Sequence, residues 1–140
     1  MAVQHSELAS AVTATRVSIH VLAATVWVGG QLSIAGLLKT VRSLGPDAPK
    51  KIARAFAKIE WPIFFILIAT GIWNAIADNP STATSAWRYV MTVEVLVALL
   101  AGLTAWMHQR AKTKKGLAIF GALSGMLSIT AVILGVLLAG

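Results

Sequence analysis

The 140-residue chain has no cysteine and few acids. Without thiols there is no disulfide, no thiolate metal site, no cysteine nucleophile and no thioether-linked haem. Charged residues make up only 12% of the sequence, five of them acidic against twelve basic. So little charge leaves few groups to solvate the surface of a water-soluble domain. Hydrophobic residues reach 57% and mean hydropathy is +0.78, so a lipid bilayer is the expected solvent.

The net charge of +7 raises the question of nucleic acid. The positions of the bases answer it. Lys39, Arg42, Lys50, Lys51, Arg54 and Lys58 form one cluster, and Arg110, Lys112, Lys114 and Lys115 a second. Only Arg16 and Arg88 lie elsewhere. No aromatic or motif context interleaves these bases, so no nucleic-acid partner is expected. Clusters between apolar runs are instead the positive-inside pattern of short loops.

A helix needs roughly 20 apolar residues to cross the hydrocarbon. Four segments qualify, at about 13–38, 59–77, 86–107 and 116–139. The breaks "SLGPDAP", "DNPSTATS" and "QRAKTKKG" carry turn residues. The predicted fold is therefore one all-α domain, an integral membrane four-helix bundle running up-down-up-down. The first and third loops hold ten of the twelve bases, so they are expected in the cytoplasm, with N and C termini outside. This is a multi-pass protein of the cytoplasmic (inner) membrane. No basic region precedes the first span, so it reads as a retained helix and not a signal peptide. The segment "PKKIARAFAKIEWP" reads as an amphipathic extension of the second helix along anionic headgroups.

Spacing of 4-3-4-3 keeps one seam of a helix facing its partners. Read this way, the first helix lines up Arg16, His20, Ala23, Trp27 and Gly30, with Gln31 beside them. The second lines up Glu60, Phe64, Leu67, Gly71, Asn74 and Asp78. The third gives Met91, Glu94, Ala98, Ala101, Ala105 and His108, and the fourth gives Gly121, Ser124, Ser128 and Gly135. Small and polar residues share one face of every helix, as a bundle in lipid requires.

Depth sorts the polar residues into two layers. His20, Glu94, Asn74 and Met91 fall in an outer layer, and Glu60 and His108 near the cytoplasmic boundary. His20 and His108 are separated by about 20 Å of helix rise, too far to hold one metal or haem. A charge in hydrocarbon costs roughly 3 kcal/mol, so Glu94 needs a partner or a task. His20 is the expected partner, sharing a proton or a divalent metal with it. The plain alternative is a polar pair that fixes helix order. Glu60 and His108 have a similar plain reading, meeting Arg54, Arg110 or water. Trp61, Trp73, Trp87, Tyr89 and Trp106 suit the interfacial belts. Trp27 lies mid-span on the His20 face, where it either packs over a planar ligand or fills the core.

The runs "IHVLAATVWVGG", "WPIFFILIATGIWN", "WRYVMTVEVLVALLAGLTAWMH" and "ILGVLLAG" resemble the CopD-like (copper-resistance D) four-helix membrane domain, over nearly the whole chain from His20 onward. The helix-1 element His-x6-Trp-x-Gly-Gly carries most of the likeness. More distantly the architecture resembles HemJ, a membrane protoporphyrinogen oxidase that binds haem b. That resemblance implies His20 as haem ligand, whereas Glu94 stands at about the position of the HemJ helix-3 lysine. The CopD-like resemblance implies copper uptake or tolerance and points to His20; depth and periodicity add Glu94 and Met91 as candidate metal ligands, with Trp27 on the His20 face. Copper(I) accepts thioether and imidazole, and copper(II) accepts imidazole with carboxylate.

Three classes stand side by side: a copper-handling membrane protein, a haem b-binding or porphyrin-redox protein, and a non-catalytic subunit of a larger complex. Expected partners are the lipid bilayer, a metal ion or haem, and a homo-oligomer or larger membrane complex.

Overall fold

The structure is a computed structural model and describes residues 8–139. The positions of the two termini fall outside the described residues. Among the described residues four helices make up all the regular structure: α1 (Ala11–Ser43), α2 (Ala48–Ala77), α3 (Ser85–Arg110) and α4 (Lys114–Ala139). All four are long and apolar enough to cross a membrane.

Local chemistry sets their starts. Ser10 is extended and its hydroxyl accepts the Thr13 amide at 3.2 Å, capping α1. Thr84 does the same for α3 through the Trp87 amide at 3.2 Å. Thr113 accepts from the Gly116 amide at 3.0 Å and opens α4. A proline in the first turn starts α2, where its missing N–H costs nothing. Between α1 and α2 the chain turns at Gly45, whose φ of +137° suits glycine alone.

All four helices extend beyond the predicted spans, α1 and α2 furthest. α1 continues past Leu38 to Ser43, and α2 begins at Ala48. The basic segment before Ile59 is therefore continuous helix, as its amphipathic pattern suggested. At a rise of about 1.5 Å per residue, α1 is about 50 Å long against a hydrocarbon core of about 30 Å. Lys39 and Arg42 lie on the part that overhangs.

The helices pack in two hairpins, α1 with α2 and α3 with α4, joined mainly through α1 and α4. Contacts fix the register. Arg16 meets Asp78, His20 meets Thr70, and Gln31 meets Glu60. Along α3 and α4, Trp87 meets Leu138, Glu94 lies against Gly135, and His108 reaches Leu117. In each pair, numbers rise along one helix as they fall along the other. α2 also reaches α3, because the Phe64 ring fills the space beside Gly102, where even a Cβ would collide with it.

Burial is inverted relative to a water-soluble domain. Among the described residues the buried polar set is Arg16, Glu60, Thr70, Ser124 and Ser128, beside a small apolar core around Ala23, Trp27, Phe64, Ala101 and Ala105. The exposed surface carries large apolar side chains such as Phe65, Ile76, Val136 and Leu137. Such a surface is soluble in hydrocarbon and costly in water. The protein is built as a multi-pass membrane protein.

Candidate functional site

At the end of the bundle away from the basic loops, Arg16 is buried between α1 and α2. Its Nη1 donates to Asn74 Oδ1 at 2.6 Å and its Nη2 to Asp78 Oδ1 at 3.0 Å. Among the described residues this is the one ion pair. Asn74, expected in a layer with His20 and Glu94, is instead taken by Arg16. The planar guanidinium offers a fork of donors that suits two oxygens one helical turn apart.

One turn deeper on α1, His20 Nδ1 lies 2.9 Å from Thr70 Oγ1. Thr70 has a single hydroxyl proton, and the backbone oxygens of Ile66 at 2.7 Å and Leu67 at 3.2 Å are also within its reach. That one proton cannot serve the carbonyls and Nδ1 together, so Thr70 either accepts from an Nδ1–H or donates to a bare Nδ1, according to the imidazole tautomer. Gly71 makes room for the ring, since a Cβ there would stand 3.3 Å from His20 Cε1. Thr70 was not singled out by the sequence reading. Its neighbour Gly71 on the inward face was the available signal.

Glu94 has a different neighbour. Its carboxyl lies against Gly135 of α4, so close that a Cβ at 135 would stand 2.9 Å from Oε1. The register gives its depth. Trp27 pairs with Ser128, and both His20 and Gly135 lie seven residues outward from that pair. The Glu94 carboxyl and His20 thus share one level. They do not share a bond: His20 turns to the α1–α2 seam and Glu94 to the α3–α4 seam. Met91 lies one turn outward of Glu94 on α3. Among the described residues no three His, Asp or Glu side chains converge to hold a metal ion.

Below this layer Trp27 is 2% exposed. Its indole N–H donates to Ser128 Oγ at 2.9 Å, tying α1 to α4. The Phe64 ring packs on it with centroids 4.6 Å apart, and Trp61 meets it edge-on at 6.2 Å. Protein aromatics thus occupy the surroundings in which a planar ligand over Trp27 would lie. Trp27 fills the core.

The polar layer nearer the basic loops centres on Glu60, 5% exposed. Its Oε1 accepts from Gln31 Nε2 at 3.0 Å, and Oε2 lies 3.4 Å from the Gln109 amide. Gln31 Oε1 in turn accepts from Ser124 at 3.3 Å, which also reaches the Ala101 carbonyl at 3.2 Å. Trp61 donates to Gln109 Oε1 at 2.9 Å. One polar network therefore joins all four helices. Neither Arg54 nor Arg110 takes part: Arg110 stacks instead over Trp106, 4.4 Å from the ring centroid. His108 stands apart from Glu60. Its Nδ1 lies 2.8 Å from the Leu117 carbonyl, which can only accept, so this imidazole carries a proton on Nδ1.

The network answers why an apolar first helix keeps His20, Trp27 and Gln31. Each is the α1 half of a different inter-helix bond: to α2, to α4, and to both. Searches against protein-family models, curated proteins and solved structures find no match.

Proposed function

We propose that the protein is a CopD-like integral membrane protein of the cytoplasmic membrane that handles copper as cargo. In this reading the bundle runs up-down-up-down, the basic first and third loops face the cytoplasm, and both termini lie outside. The observation that carries the copper reading is His20 itself. Its Nδ1 is held by the Thr70 hydroxyl at 2.9 Å; in this reading Nδ1 carries the proton and Nε2 offers its lone pair to the ion. A ligand imidazole held through its other ring N–H is the usual arrangement at metal sites.

The donor set fits a passing ion better than a resident one. His20 offers one imidazole nitrogen, Met91 a thioether and Glu94 a carboxylate at nearly the same depth. They project from two helices, His20 from α1 and Met91 and Glu94 from α3, and do not converge as a closed chelate. Copper(I) is stable with two soft or imidazole donors, so such a set suits uptake and release. The resemblance of the helix-1 element to CopD-like domains supports the same choice. Whether His20 also serves as an axial haem b ligand, or the polar layers only fix assembly in a larger complex, is decided by the same experiment.

That experiment compares gently purified parent, His20→Ala and Glu94→Gln for copper by elemental analysis, for a Soret band, and for copper sensitivity of the host. Loss of copper and an altered host phenotype in both variants is the expected result. A Soret band lost only in His20→Ala replaces copper with haem. Full ligand content and phenotype in folded, inserted variants leaves an assembly role alone.

A further inference from the structure

Two grooves lie end to end on the same seam of the bundle. The first, about 530 Å³, sits at the end of the helices that carries the basic loops. Its walls are Leu38 and Leu117, and its polar lining is Arg42 of α1, Lys114 of α4 and His108 of α3. The second, about 290 Å³, continues between α1 and α4 one turn further in, past Ala35, Gly121, Gly125 and Met126 as far as Gln31. No acidic residue lines either groove.

The two ends differ in chemistry as the two ends of a phospholipid do. Arg42 and Lys114 offer charged donors for a phosphate, and the α4 N-terminus beside Lys114 adds its positive dipole end. Leu38 and Leu117 begin an apolar channel that runs past Ala35 and Gly125. A Cβ at Gly125 would meet nothing within 4 Å. From Arg42 to Gln31 is eleven residues of α1, about 16 Å of rise, which matches one leaflet of about 15 Å. Basic pockets between helices on the cytoplasmic side are suited to anionic headgroups.

We infer that the α1–α4 seam binds one anionic phospholipid, its phosphate between Arg42 and Lys114 and an acyl chain along Ala35, Gly121 and Gly125. The inference rests on the membrane-spanning reading and not on copper. The lipid holds α1 to α4, which join the two hairpins of the bundle.

The test uses purified protein in neutral detergent, titrated with phosphatidylglycerol, with phosphatidylcholine of the same chains, and with inorganic phosphate, read by native mass spectrometry. One phosphatidylglycerol should bind per chain, about 30-fold tighter than phosphatidylcholine, since each basic residue at an anionic headgroup contributes a factor of about five. Arg42→Gln with Lys114→Gln should abolish that preference. Gly125→Leu, and independently Ala35→Leu on the facing helix, should weaken long-chain but not dihexanoyl phosphatidylglycerol. Equal affinity for the two lipids, or full competition by inorganic phosphate, overturns the inference. So does a Gly125→Leu variant that changes subunit number with lipid binding intact, which makes the groove a contact between copies. Flotation separates the two levels. A parent that does not float with phosphatidylcholine vesicles overturns the spanning reading and this inference with it. One that floats without headgroup preference overturns only the inference.

Discussion

His20 Nδ1 lies 2.9 Å from the Thr70 hydroxyl, which also lies 2.7 Å from the Ile66 carbonyl one turn back on α2. In the proposed copper site the hydroxyl proton goes to that carbonyl, Nδ1 carries the imidazole proton and Nε2 is free for the ion. At His108 the Leu117 carbonyl can only accept, which sets the Nδ1–H tautomer there.

Removing the Thr70 hydroxyl should therefore release the His20 tautomer. In long-range 1H–15N spectra the parent and Thr70→Ser should show the Nδ1–H form. Thr70→Val should shift population toward Nε2–H and lower bound copper. A Thr70→Val spectrum identical to the parent would show that Thr70 does not hold the proton.

Ser128→Ala leaves the Trp27 N–H buried without its acceptor. In water such a loss costs about 1–3 kcal/mol. In a bilayer the separated helices find other partners, and measured bonds average about 0.6 kcal/mol with a maximum near 1.7. The lower figure is expected, read from equilibrium unfolding in mixed micelles.

Glu60 accepts from α1 and α3 at once, so its loss strands two amide side chains. Glu60→Leu should destabilise by about 1–3 kcal/mol, because Gln31 and Gln109 are then left facing an apolar group. Glu60→Gln keeps the shape and one acceptor, so it should lose less than half of that. Equal stability of all three proteins would remove the network from any role in assembly.

Glycines of α3 and α4 should respond oppositely to one added methyl. At Gly102 a Cβ runs into the Phe64 ring, itself held against Trp27, so Gly102→Ala should cost about 1–3 kcal/mol by overpacking. At Gly125 the space is open, and Gly125→Ala should stay within about 0.5 kcal/mol of the parent. Thermal unfolding of the two variants side by side checks both.

Topology can be read on a chain with no native thiol. Ser10→Cys should react with an impermeant maleimide added to intact cells, and Ser43→Cys only after lysis. The reverse pattern would turn the bundle over in the membrane.

The inward faces were legible in the sequence. Heptad spacing picked out Arg16, Ala23, Trp27, Glu60, Phe64, Ala101, Ala105, Ser124 and Ser128, and all are buried. The reason is that lipid separates small and polar positions from large apolar ones on each helix by itself, so a single strand of text records it. Depth was legible too, since it follows from counting residues from a helix end; His20 and the Glu94 carboxyl do share a level.

Partner choice was not legible. His20 was expected to face Glu94 and instead faces Thr70; Asn74 belongs to Arg16; Glu60 takes Gln31 and Gln109 and no arginine. An inward face in a four-helix bundle borders two seams, and a rotation of a few tens of degrees moves a side chain from one to the other. That rotation is set by bulk on neighbouring helices: the Phe64 ring filling the gap left by Gly102, Phe56 filling that beside Gly30, and His108 seated over Gly121. Periodicity along one helix carries the direction of the core. Only the packing of all four decides which neighbour each polar group meets there.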